Sequence, residues 1–288
     1  MDWSRFARTT GVVVGAVALL ATRALAGEAA PRRLEGEELK SLQQVHDGQW
    51  GALAPQNLAK KRPKAPFDMT GTWFVDLSQG FDKFRFGPPY PEFLEGGKEA
   101  MKGAAEAAAK GVPYRDTIGQ CWPAGMPMIM TRVWPIDFIQ LPTRITMIAG
   151  FENNVRFIYL DGRKHSSDDE AVPSYNGESI GRWEGKTLVI DTRHFATKNH
   201  WIDGGLPVSD EFHMIERVKM IKGGKALEIE YIMTDPKNWK GEWHNTKRFD
   251  RLDNTDIQEV HCLPDLNEHI PGTKAGQEEL DRREAAGK

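Results

Sequence analysis

Cysteine is scarce in this chain of 288 residues, which holds only Cys121 and Cys262. With no C-x-x-C pair, a thioredoxin-like redox centre is set aside. Also missing are an H-E-x-x-H pair, a P-loop, a dinucleotide fingerprint and a nucleophile elbow, since the G-x-S-x-G letters of "GESIG" at 177–181 run into a strand pattern and not a strand-to-helix turn. Their absence argues against a serine hydrolase, a zinc protease and a nucleotide-dependent enzyme. Charge of one sign is not concentrated either. Lys and Arg number 38 against 41 Asp and Glu, and only "KKRPK" at 60–64 forms a basic cluster. Binding to nucleic acid or to an anionic membrane calls for a basic face, so neither partner is expected. Long apolar runs are lacking too. The stretch "VVVGAVALLAT" is too short to span a bilayer, and nothing later reaches that length.

What is present begins with that short run. Arg5 and Arg8 precede it, and "ALA" at 24–26 follows before Gly27. The basic, apolar and small-residue order predicts a secretory signal peptide cleaved after Ala26, with an uncleaved anchor as the alternative. The mature chain is then periplasmic or secreted, with no membrane span. An even cysteine count in an oxidising compartment favours a Cys121–Cys262 disulfide over two buried free thiols.

Residues 27–66 read as a polar N-terminal arm with one short helix in "GEELKSLQQVH". "DMTGTWFVDLS" reads as a first strand with Trp73, Val75 and Leu77 on one face. "EFLEGGKEAMKGAAEAAAKG", rich in Ala, Glu and Lys, predicts an inserted helix ended by Gly111. From Trp134 onward short strands follow one another across tight turns: "FIQL", "RITMIAGF", "VRFIYL", then "SIGRW" and "TLVIDT", then "EFHMIERVKMI" and "ALEIEYIMTD", and last "EWHNTKRFDRL". That pattern predicts a mainly β domain over 67–262, an antiparallel meander closed as a barrel or folded as a sandwich. Residues 263–288 read as a charged helical tail.

The "TGTWFV" opening resembles the G-x-W start of lipocalin-like (calycin) barrels. That likeness implies a calycin-like barrel in which Trp73 closes one end beneath an Arg from a late strand, Arg248 or Arg251. "CWPAGMP", "DGRKH" and "SIGRWEGKTLVIDT" are similar to motifs of a broad, mostly uncharacterised family of exported bacterial proteins. The likeness covers Asp68 to Cys262 and implies no particular reaction.

Two stretches carry candidate chemistry. In "GQCWPAGMPMIMTRVWP" an extended chain would put Met126, Met128 and Met130 on one face. Three thioethers suit Cu(I), but flexible sulfur side chains also line irregular cavities, and the ten methionines are spread along the chain. The second stretch, "DTRHFATKNHWIDGGLPVSDEFHMIER", holds His194, His200 and His213 with Asp191, Asp203, Asp210, Glu211 and Glu216. Its histidine spacings match no compact zinc signature, so no metal or other cofactor is expected. A His beside a carboxylate suits proton transfer instead. By strand parity Phe212, Met214 and Glu216 share the apolar face, and His213 shares the other. Glu216 is then either a pocket acid–base or half of a buried pair with Arg182 or Arg251. His165, after the turn at "DGRKH", is a candidate rim residue.

These readings combine into one expectation. The barrel binds a hydrophobic or aromatic small molecule between Trp122, Met126, Met128 and Trp134 on one wall and Phe212, Met214 and Glu216 on the other. His213, His194, His200 and Asp203 supply further acid–base groups for a lyase, isomerase or hydratase reaction. A non-catalytic binding protein is the alternative from another class, and a copper or zinc carrier is a third.

Overall fold

Buried residues alternate with partly exposed ones along most of the long strands, which is the two-residue period of a sheet with one face on a core. The computed structural model describes residues 36, 49–78, 80, 85–110, 118, 121–202 and 205–263. The expected leader, nearly all of the arm's expected helix and the tail beyond 263 lie outside the described residues, as does Asp203. The chain divides at Trp50, and the unit from Gly51 onward carries the barrel. No helix among the described residues is long and apolar enough to cross a membrane.

The elements run α1 (Pro55–Leu58), β1 (Gly71–Val75), β2 (Glu92–Phe93), α2 (Glu95–Ala109), β3 (Ile136–Gln140), β4 (Arg144–Ala149) and β5 (Asn154–Tyr159). After them come β6 (Glu178–Glu184), β7 (Thr187–Arg193), β8 (His213–Ile221), β9 (Ala226–Thr234), β10 (Trp239–Lys240) and β11 (Trp243–Leu252). Nine strands close a barrel in the order β1-β11-β9-β8-β7-β6-β5-β4-β3, while β2 and β10 pair as a separate two-stranded sheet. The inserted helix is α2, between β2 and the Pro-rich segment. The architecture is a calycin-like barrel.

One pairing departs from the expected antiparallel meander. β5 and β6 run parallel, with Ile158 opposite Ser179 and Tyr159 opposite Ile180. A ring with an odd number of strands cannot alternate direction all the way round, so at least one parallel step is required. The connection from 160 to 177 must therefore return along the barrel before β6 begins, and it brings His165 with it.

Trp73 is fully buried, and its Nε1 donates to the Met69 carbonyl at 2.9 Å. Arg251, its register partner on β11, holds its guanidinium carbon 4.2 Å from the ring centroid and donates to the Thr70 carbonyl at 2.8 Å. Such a cation over an indole contributes about 0.5–2 kcal/mol. Gly71 makes the approach possible. Its φ is +142°, and a Cβ there would lie 2.2 Å from Arg251 Nη1. At the other end of β11 the rings of Trp243, Trp239, Phe212 and Phe195 form a chain, with successive centroids 5.7, 6.2 and 4.9 Å apart.

Cys121 and Cys262 form a disulfide, with Cα atoms 5.4 Å apart across a sequence separation of 141. The bridge ties the Pro-rich segment to the chain that follows β11. The N-terminal approach also packs on the barrel: Thr143 Oγ1 donates to the Ala52 carbonyl at 2.7 Å, and Asn57 Nδ2 donates to Asp161 at 3.1 Å.

Candidate functional site

Inside the barrel, the parity of β8 buries Met214, Glu216 and Val218 and turns His213, Ile215 and Arg217 outward. Glu216 is 1% exposed. A lone carboxylate at that depth would be very costly, and the chain meets the cost with Arg156 of β5. Arg156 Nη1 donates to Glu216 Oε1 at 3.0 Å and Nη2 donates to Oε2, which makes a fork-to-fork pair. The same guanidinium donates to Ser179 Oγ at 3.0 Å and to Thr192 Oγ1 at 2.9 Å. The partner is thus neither Arg182, which lies on the surface with Glu184, nor Arg251, which covers Trp73. Tyr231 faces Glu216 across the β8–β9 register, fully buried, with its hydroxyl lacking a hydrogen-bond partner. Burial, then the Glu216 charge, pushes that phenol well above its usual range.

A second constellation sits on the outer face, at the end of the barrel opposite Trp73. Glu178 opens β6, Asp191 lies on β7, His213 opens β8, His194 follows β7, and His165 arrives on the 160–177 connection. Asp191 Oδ1 is 3.1 Å from His165 Nε2 and 2.9 Å from His213 Nε2. Glu178 Oε2 is 3.0 Å from His165 Nδ1 and 3.8 Å from His194 Nε2. Ser166 steadies Glu178, its backbone N–H donating to Oε2 and its hydroxyl to Oε1, each at 2.9 Å. These five side chains are 13–30% exposed, half-sheltered yet open to solvent. The Asp191 hydrogen bond, opposed by burial, raises the His165 pKa. Burial alone would raise Asp191, but its hydrogen bonds from His165 and His213 outweigh that and hold it well below the usual carboxylate range. Beside the cluster, Ile180, Asp191, Ile215 and Ile232 follow one another across four strands of the outer face.

The expected site residues therefore separate. Met126, Met128, Phe212 and Met214 belong to the hydrophobic core. The methionines do not project from one face of an extended chain, because Gly125 at φ +62° turns the backbone and Met128–Thr131 forms a buried 3-10 turn. Trp122 is half-buried, its ring centroid 6.5 Å from that of Tyr175. Trp134 is 40% exposed, with its ring edge-on to Phe151. His200 is buried beneath the Pro-rich segment, its Nδ1 2.7 Å from the Ala196 carbonyl oxygen, and burial pushes its pKa down to about 4. His194 and His213 do come together, joined by His165, Glu178 and Asp191. Sequence reasoning passed over Arg156 and Tyr231. Apolar residues do not mark the core face here, since Val155 and Phe157 are 42% and 41% exposed while Arg156 between them is buried.

No family model matches this chain, and no curated protein matches it. What the fold and the two constellations define is a class: a disulfide-tied, calycin-like barrel with a buried Arg–Glu pair and an outer His/carboxylate cluster.

Proposed function

We propose that this protein is an exported barrel that binds a hydrophobic or aromatic small molecule and acts on it by His/carboxylate proton transfer, as a lyase, isomerase or hydratase. One observation carries the reading: the Asp191 carboxylate is shared by two imidazoles, at 3.1 Å to His165 and 2.9 Å to His213. A carboxylate on one ring nitrogen sets the tautomer and orientation of a His, leaving the other nitrogen to exchange a proton with substrate. In this reading His213 is the acid–base residue and Asp191 its positioning residue, while the Ile180–Ile215–Ile232 strip receives the apolar part of the ligand. Glu216 is a structural residue, since both its oxygens are taken by Arg156. The leader-like first 26 residues support export, and the disulfide suits an oxidising compartment.

The buried Tyr231 hydroxyl, unpartnered beside the Arg156–Glu216 pair, favours a second reading, a non-catalytic barrel that orients a ligand's polar group inside. A panel of unsaturated and hydroxylated aromatic compounds, followed by mass spectrometry and thermal shift, separates the two. Proton-transfer catalysis predicts turnover that falls about 10²–10⁴-fold in His213→Gln at unchanged melting temperature. Glu216→Gln should instead lower stability by roughly 3–5 kcal/mol, because Arg156 is left buried without its counter-charge. Ligand binding without turnover, unaffected by His213→Gln, would leave the non-catalytic reading.

A further inference from the structure

Two imidazoles and one carboxylate of the outer cluster, those of His165, Glu178 and His194, each offer a donor atom, and all three atoms lie within 4.8 Å of one another. We infer that this trio is a binding site for a zinc-class divalent cation, with Asp191 supporting it from behind. The site shares the cluster of the proton-transfer reading but does not require that the cluster be catalytic.

The donor chemistry selects the ion. Two nitrogens and one oxygen suit zinc and its neighbours, whereas calcium and magnesium call for oxygen alone. Cu(I) would want thioethers, and Met126, Met128 and Met130 are packed in the hydrophobic core. Geometry is close to what coordination needs. Neighbouring donors around a tetrahedral zinc lie about 3.3 Å apart. Here His165 Nδ1 and His194 Nε2 stand 3.0 and 3.8 Å from Glu178 Oε2. His194 Nε2 also lies 3.1 Å from the Ser166 carbonyl oxygen, the contact that an ion at this position would replace.

The surroundings supply an independent observation. A metal-bound His characteristically donates its far ring N–H to a carboxylate, which fixes the tautomer and makes the near nitrogen a better ligand. With His165 facing Glu178 through Nδ1, its Nε2 is 3.1 Å from Asp191. Glu178 is itself oriented by two hydrogen bonds from Ser166. His194 is held at φ +56°, the left-handed backbone region that non-glycine residues seldom adopt, and its ring lies 6.1 Å from that of His165. Three protein ligands leave a fourth position open, the arrangement of zinc sites that bind water or substrate.

The test uses the whole chain, stripped with a chelator and titrated with zinc alone by calorimetry. One ion per chain is expected, and the Co²⁺-substituted protein should show the d–d absorption of a low-coordinate nitrogen and oxygen site. His165→Asn, Glu178→Gln and His194→Asn should each weaken uptake about 100-fold or more. Asp191→Asn, acting through His165, should weaken it about 10–100-fold. His244→Gln, at a surface histidine outside the cluster, should change nothing. Absence of stoichiometric uptake would overturn the inference, leaving His165 as a hydrogen-bonded bridge between Glu178 and Asp191. So would uptake that survives the three ligand substitutions together. Should a variant fail to fold, X-ray absorption of the zinc-loaded parent still decides, since it must show two imidazole ligands. Zinc uptake and small-molecule turnover are separate readouts, so either proposal can fail while the other stands.

Discussion

The buried polar side chains of this molecule differ in how their burial is compensated. Glu216 and Arg156 neutralise each other, with Ser179 and Thr192 taking two further guanidinium donors. His200 follows the other route and remains neutral, its pKa held at about 4 by burial against an ordinary value of 6.5. The sign of the resulting pH dependence follows directly. Above pH 6.5 neither folded nor unfolded chain protonates this residue, and it contributes no slope. Between pH 6.5 and 4 the unfolded chain takes up the proton first, so stability falls as the solution is acidified. The loss amounts to roughly 3 kcal/mol by pH 4. Chemical denaturation at a series of pH values should show this decline in the parent and a shallower one in His200→Gln. Parallel curves for the two proteins would contradict it.

At the level of elements, the Pro-rich segment shows why sulfur and aromatic surface sits on irregular backbone. Gly125 turns the chain at φ +62°, and the Met126 N–H then donates to the Tyr175 carbonyl at 2.9 Å. The segment closes over the core as a 3-10 turn, so its methionines fill space between a loop and the barrel. No side chain fits at the turn, because a Cβ on Gly125 would lie 2.3 Å from the Tyr175 carbonyl oxygen and 2.7 Å from His200 Nε2. Gly125→Ala should therefore cost more than the roughly 1–2 kcal/mol of left-handed backbone alone. Equilibrium unfolding would reveal it as a loss above about 2 kcal/mol, and a smaller loss would mean that the loop bearing Tyr175 yields. The strands themselves were readable: β4, β8, β9 and β11 fall within the stretches that periodicity marks, and β3, β5, β6 and β7 overlap theirs. β5 reverses the usual rule of apolar residues inside. It turns Arg156 inward to meet Glu216 and leaves Val155 and Phe157 on the outside, where Arg144 covers Phe157 with its guanidinium carbon 4.4 Å from the ring centroid.

For the whole molecule, closure is the organising constraint. Nine strands leave no open edge, their odd number demands the parallel β5–β6 step, and that step carries His165 to the outer cluster. Arg251 covers Trp73 near one end, and the aromatic chain around Trp243 occupies the other. The disulfide adds a long-range restraint across 141 residues, for which the chain-entropy description gives roughly 5 kcal/mol as an upper figure. A Cys121→Ser/Cys262→Ser double variant should lose about 2–5 kcal/mol in denaturant unfolding while keeping its far-ultraviolet dichroism. Unchanged stability would show that the Pro-rich segment is held by its packing alone.

Periodicity, turn residues and cysteine count determine local facts, and those were within reach of the sequence. They include the strands, the inserted helix, the opposite faces of His213 and Glu216 and the pairing of two cysteines, while the burial of Trp73 was implied by the resemblance of "TGTWFV" to calycin openings. Each depends on neighbours along the chain, or on there being only one available partner. The contacts that decide the chemistry are of another kind. Arg156 meets Glu216 across 60 residues, and His165 meets Asp191 across 26. Asp191 itself was in view as a member of the His-rich stretch, yet nothing local distinguished it from Asp203 or Asp210. Side chains brought together by barrel closure share no spacing that a linear motif could record. The closed β-sheet alone decided that His165, Glu178, Asp191, His194 and His213 occupy one surface, because cross-strand register sets distances that sequence separation does not.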